Sequence, residues 1–408
     1  MGSGAANPDY ESREHQEERA NASANEEDIR TQFPPLDSIE DVLLQLEDYT
    51  SGSVPKEQAN WFLQTVATFI TSCSVEQIRL APDKFISLCK RFKDQVLQLQ
   101  APMQGIAPMR TAIRKLQSSA EHLTSLHSDF LLLCIVAKCY KAGLSIMEDD
   151  IFEVDQPKDF FLYCYYGGIL NIGQKRFRKA LEYLHHAITA PMTVLNTVAV
   201  EAYKKYILVS LIHTGQVLPF PKYTSSVAQR SLKTYAQAYI DLANSYATGK
   251  ISEVEKCLET HVDKFKLDVN LGLVKQVVLS LYKRNIQRLT QTYLTLSLQD
   301  IASTVQLETS KQAELHVLQM IHGGEIFASI NQKDGMVSFH EDPEQYKTSE
   351  MIEHIDSSIR RIMLLSKKLS AVDEHISCDA AYLSKVGRER PRFEIDEFDT
   401  VPQKYMTM

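Results

Sequence analysis

From Leu36 to Ile376 apolar side chains return every three or four positions almost without a break. That period belongs to helices that bury one side. Phe85, Leu88, Cys89, Phe92 and Val96 trace one such stripe behind Pro82. Proline suits the first helical position, where the amide has no partner in any case. Pro108 is read the same way, opening a helix over Met109 to Leu116.

A weak repeat runs through this helical region. Asp129-Phe130, Cys134 and Gly143 recur thirty residues on as Asp159-Phe160, Cys164 and Gly173, and Glu201 to Gly215 again ends a helical stretch in glycine. After Gly173 a second stripe follows in Phe177, Ala180, Leu181, Leu184 and Ile188. Helix, glycine turn, helix is the unit of a TPR-like solenoid, in which each pair buries its apolar face on its neighbours.

Residues 294–340 change character. Ser297 and Thr309 read as N-caps of two short helices, the second with Gln312 completing a capping box. Gly323-Gly324 ends that helix. Ile326, Ala328 and Ile330 then alternate, Asp334-Gly335 reads as a two-residue turn, and Val337 and Phe339 lie on a return strand. Alternating residues around Asp-Gly signal a hairpin. Two helices and a hairpin outline a winged helix.

A long helix is predicted from Ser349 to about His375. Ile352, Ile355, Ile359, Ile362, Leu369, Val372 and Ile376 form a narrow apolar seam on it, flanked by Glu353, Asp356, Arg360 and Lys367. Sustained steps of three and four are the signature of a helix that packs along other helices.

Charge and composition remove several function classes. Residues 1–50 hold 13 Asp and Glu against Arg13, Arg19 and Arg30, whereas the remaining chain has 41 basic and 39 acidic residues. A balanced body argues against a polyanion binder. Residues 309–324 offer Lys311 against Glu314, too little cationic charge for a DNA-reading helix. Lys175-Arg-Phe-Arg-Lys179 reads as the solvated start of a repeat helix. No apolar run approaches the roughly 20 residues that span a bilayer, and the polar N-terminus lacks a secretory pattern. Seven scattered cysteines without a CxxC pair read as reduced, buried thiols. His185-His186 diverge by about 100° on a helix and do not converge on a metal. No P-loop, Gly-x-Ser-x-Gly or His-Glu-x-x-His spacing occurs. No enzyme activity, cofactor or metal is expected, and the chain is expected in cytoplasm and nucleus.

Helical repeats leading into a winged helix are the layout of PCI-domain proteins. The strings Glu201-Ala-Tyr-Lys-Lys-Tyr-Ile-Leu-Val-Ser-Leu-Ile212, Pro221-Lys-Tyr-Thr-Ser225, Leu271-Gly-Leu-Val-Lys-Gln276, Leu294-Thr-Leu-Ser-Leu-Gln-Asp300 and Gly324-Glu-Ile-Phe-Ala-Ser-Ile-Asn-Gln-Lys-Asp-Gly-Met-Val-Ser-Phe339 resemble the COP9 signalosome subunit 3 family over roughly residues 60–376. The tail from Val386 through Lys404 resembles plant members. Residues 1–31 are polar, unlike the helical start usual in that family.

The resemblance, together with the period of the apolar residues and the polar composition of the N-terminus, implies an all-α chain with five parts. These are a disordered segment over residues 1–31, TPR-like repeats over 32–285 (PCI from about 200), and a winged helix over 286–343. A bundle helix over 347–378 and a flexible tail over 379–408 complete it. It implies a scaffold subunit of the complex that deneddylates cullin-RING ubiquitin ligases, where another subunit with a His-x-His zinc motif performs the chemistry; in plants the complex serves light-regulated development. The implied partners are other subunits, and through them cullin-RING ligases, with neither nucleic acid nor membrane. Candidate partner-binding residues are Ile326, Phe327, Ile330, Val337 and Phe339 on the hairpin and Ile352, Ile355, Ile359, Ile362 and Leu369 on the terminal helix. A PCI subunit of the proteasome lid and a nucleic-acid-binding winged-helix regulator are the alternative readings.

Overall fold

The computed structural model describes residues 38–51, 56–148, 150–192, 195–341 and 349–389. The polar segment 1–31 lies outside these, as do residues 390–408 of the expected tail. Among the described residues are eighteen helices and five short strands. The chain divides by its contacts into a helical unit, Met1–Leu289 with Ile301–Glu308, and a second unit, Thr290–Asp300 with Thr309–Met408. The short segment Ile301–Glu308 thus groups with the helices, although its pattern assigns it to the winged module.

The helical unit begins as its apolar stripes dictate. Helix Pro82–Gln98 starts on proline and buries Phe85, Leu88, Cys89, Phe92 and Val96. The helix before it, Val75–Leu80, opens on a capping box in which the Ser74 hydroxyl accepts from Gln77 N and the Gln77 side chain accepts from Ser74 N. Pro108 is a correction. The helix runs from Pro102 to Leu116, with Pro102 at its start and Pro108 inside it. An interior proline removes a backbone bond. Here the burial of Ile106, Met109, Ala112 and Ile113 on the same helix carries it through.

The repeat takes a different register from the one the thirty-residue spacing suggests. Gly143 lies inside the short helix Tyr140–Leu144, whereas Gly173 ends the helix Pro157–Gly173. The equivalent positions are Lys138 and Lys175, each in a left-handed conformation between two helices. In both turns that residue's amide and the next one bond back to the preceding helix, Lys138 to Ile135 and Cys139 to Cys134, Lys175 to Ile172 and Arg176 to Asn171. Gln100, Val269 and Gln306 make the same pair of bonds with positive φ. This is the Schellman closure, usually built on glycine. Helix Pro157–Gly173 packs closely on Phe177–Thr189. A Cβ on Gly168 would stand 2.7 Å from Leu184 Cδ2. Two strands absent from the sequence reading, β1 (His122–Leu123) and β2 (Glu153–Val154), pair in parallel beside these helices.

Four of the five left-handed turn residues are unbranched Gln or Lys, and the fifth is Val269 (φ 55°), which is 88% exposed. A β-branched side chain is poorly tolerated in that conformation. Val269→Gly is expected to raise the unfolding free energy of the purified chain by about 1 kcal/mol. Denaturant melting checks this; an unchanged or lowered midpoint would show that the turn carries no strain.

In the second unit β3 (Thr295–Ser297), β4 (Phe327–Asn331) and β5 (Met336–His340) form an antiparallel sheet of order β3–β5–β4. The hairpin signal concerns β4 and β5, and the third strand was not foreseen. Register pairs Asn331 with Met336, so four residues form the turn instead of Asp334-Gly335 alone. Gly335 supplies the positive φ, and the Asn331 amide donates to Asp334. Helix Ser310–His322 starts at Thr309, whose hydroxyl accepts from Gln312 N, and buries Ala313, Val317 and Met320. The terminal helix spans Ser349–Cys378. A further helix, Ala380–Glu389, follows where a flexible tail was expected from residue 379. The Asp379 carboxylate accepts from Ala381 N at 2.6 Å, an N-cap in front of good helix formers.

Candidate assembly surfaces

The long helix Ser349–Cys378 presents its apolar seam to solvent. Ile352, Ile355, Ile359, Ile362 and Leu369 are 65%, 47%, 51%, 65% and 70% exposed. Arg360 and Asp356, beside the seam, pair at 2.7 Å one helical turn apart. A soluble helix normally hides such a stripe. Five exposed large aliphatics at helical spacing therefore define a surface suited to other helices.

The sheet divides the hairpin candidates. Phe327 is exposed and Ile330 half-buried on β4, an outer strand. Ile326, Val337 and Phe339, the other hairpin candidates, are buried. Inward residues of a strand alternate with outward ones, and Ile330, paired across from Val337, shares the inward face with them while Phe327 points outward. β5 is also the central strand, paired on both sides. The unpaired backbone edges belong to β3 and β4, and a proline at Ser338 would break the sheet instead of probing an edge.

One of the specific sequence strings, Glu201 to Ile212, enters a polar junction that periodicity alone does not reveal. Lys204, on helix Thr197–His213, lies 2.7 Å from Glu201 and 2.9 Å from Asp268. The Tyr239 hydroxyl donates to Asp268 at 2.8 Å, and the Asn270 amide donates to that hydroxyl at 2.9 Å. Lys205 Nζ donates to the Asn270 side-chain oxygen Oδ1 at 2.7 Å. Asn270 is buried, and burial lowers the Lys205 pKa below the ordinary lysine value. A satisfied network of this kind fixes three helices in register. Adjacent Lys-Lys within an apolar helix, with Asp-x-Asn in a later turn, is the only signal the sequence offers for it.

The remaining chemistry-bearing side chains are structural in their surroundings. His127 is fully buried, accepts from Thr124 N on Nδ1 at 3.1 Å, and is held at a pKa of about 4 chiefly by burial. Burial raises the Cys73, Cys89, Cys164 and Cys257 thiols and pushes Cys134 up to about 12. Protonated thiols are poor nucleophiles. Among the described residues no three His, Cys, Asp or Glu side chains gather as a metal site, and no helix is long and apolar enough to cross a membrane.

Comparison with known proteins agrees with this architecture. The family model described as COP9 signalosome complex subunit 3, N-terminal helical repeats, matches residues 42–228, and that of the PCI domain matches residues 254–341. The COP9 signalosome complex subunit 3 of Arabidopsis thaliana is 59% identical over 362 residues, covering 88% of this chain and 84% of the relative. The subunit 3 of Dictyostelium discoideum is 38% identical over 356 residues, covering 85% of each. The fold is all-α, helical repeats followed by a PCI domain with its winged-helix sheet, and the chain belongs to the COP9 signalosome subunit 3 family.

Proposed function

We propose that the chain is a non-catalytic scaffold subunit of a COP9 signalosome, holding neighbours while another subunit deneddylates cullin-RING ubiquitin ligases. On this reading it acts in cytoplasm and nucleus and, in a plant, in light-regulated development. The observation that carries the reading is the exposed seam of Ser349–Cys378. A helix with five exposed large aliphatics is stable in water only by virtue of its own backbone. Its natural environment is a bundle with helices of other subunits. The outer strands β3 and β4 offer unpaired backbone groups for strand addition by a neighbouring sheet.

Two measurements test this. The tagged chain, purified from its own cells, is expected to bring down a set of PCI subunits together with a zinc protease subunit. Recovery of proteasome lid subunits in their place would overturn the assignment. The isolated chain is expected to leave a NEDD8–cullin conjugate intact with or without added zinc. Cleavage by the chain alone would contradict a non-catalytic role.

A further inference from the structure

We propose that a basic edge of the helical unit, formed by the turns at residues 138–141 and 175–179, is the docking surface for the chain's own acidic segment, residues 9–28. Lys175, Arg176, Arg178 and Lys179 place four cations in five residues, a density found nowhere else in the chain. All four are exposed, as are Lys138 and Lys141. The two turns are neighbours: the Tyr140 ring lies 3.1 Å from where a Cβ on Gly173 would stand. No Asp or Glu occurs in residues 138–144 or 173–181. The nearest acid along the second helix is Glu182, 3.9 Å from Arg178.

Local helix electrostatics accounts for only part of this charge. Lys138 and Lys175 follow helix C-termini, where a cation is favoured. Arg178 and Lys179 lie in the first turn of helix Phe177–Thr189, where the positive end of the macrodipole disfavours cations. Helix Phe177–Thr189 has no acidic residue in its first turn. Charges held against the preference of their own helix point to an anion from outside it. Residues 9–28 carry eight carboxylates against Arg13 and Arg19. A tethered segment meets such a patch at an effective concentration of about a millimolar. Surface pairs that are each weak then add up in cis.

The test is zero-length carbodiimide coupling on the full chain, followed by peptide mapping of the monomer band. Lys175 or Lys179 is expected to couple to carboxylates of residues 9–28 at low salt. Raising the salt to about 1 M, where the screening length is about 3 Å, should largely remove the product. Arg176→Glu with Arg178→Glu, which leaves both reporter lysines in place, should lower the yield about fivefold or more. These arginines are exposed, and melting of the variant confirms the fold; the salt series on the unaltered chain reads the same contact without any substitution. Coupling of residues 9–28 to Lys256 and Lys264 as often as to the basic edge would overturn the proposal. So would coupling confined to dimers, which would place the acidic partner on another chain. Protection of Lys175 and Lys179 by an added single-stranded oligonucleotide, without N-terminal coupling, would assign the edge to nucleic acid and reject the proposal as well.

Discussion

A chain carrying Ile355→Asp and Ile362→Asp is expected to melt as the unaltered chain does and yet fail to capture the other subunits. Both side chains are about half or more exposed in the isolated chain, at 47% and 65%, so their loss removes little packing there. Within a bundle each isoleucine would bury most of its surface, which contributes about 1.5–3 kcal/mol when complete. An aspartate in the same place must also shed its water with no cation at that depth, a further cost of several kcal/mol. Together these lower affinity by about a hundredfold at least. Pull-down of partner subunits, read beside thermal melting, separates the outcomes. A drop in melting temperature would show that the seam packs on its own unit. Normal assembly with normal melting would remove the seam from the list of contacts.

Phe130→Ala is expected to destabilise the helical unit by about 3–5 kcal/mol, whereas Phe160→Ala should cost markedly less. The thirty-residue spacing makes the two phenylalanines equivalent. In the structure Phe130 is fully buried and Phe160 is only half-buried, the fully buried place on that helix falling to Leu170 and Cys164 with Phe161 close behind. Asp129 pairs with Lys93 at 2.9 Å. Its sequence counterpart Asp159 is instead raised in pKa, chiefly by desolvation. Urea unfolding of the two single variants decides the matter. Equal losses would restore the thirty-residue register.

The amphipathic stripes are legible because burial imposes a period, and Phe85 to Val96 need no tertiary information to be read. The winged-helix outline is legible for a similar reason, since alternation around Asp334-Gly335 marks β4 and β5. Strand β3 is not, because three residues carry no usable period and its pairing partner lies some forty positions away. The exposed seam is visible as a stripe, but a stripe looks the same whether its own domain or another chain covers it. Burial also decides the hairpin residues. Sequence places Ile326, Phe327, Val337 and Phe339 together, and only the pleat of the sheet separates Phe327 from the three that face the core. Pro108 misleads because proline marks a helix start far more often than an interior position, and only the packing of its helix shows the exception. The junction from Lys204 to Asn270 joins residues distant in sequence through single polar atoms, for which no periodicity exists.

The left-handed turns at Gln100, Lys138, Lys175, Val269 and Gln306 also bear on how such a chain ages. What recurs at these sites is a pair of amide-to-carbonyl bonds and one backbone angle, with the side chain pointing into water. Many residue types meet that demand at modest strain. Substitutions can therefore accumulate there while the geometry stays in place, and the written repeat erodes faster than the architecture. Two descendants of one ancestral helix pair would still superpose after their alphabets had ceased to rhyme. The faint echo between residues 129–143 and 159–173 in the sequence is displaced from the turns that repeat in the structure.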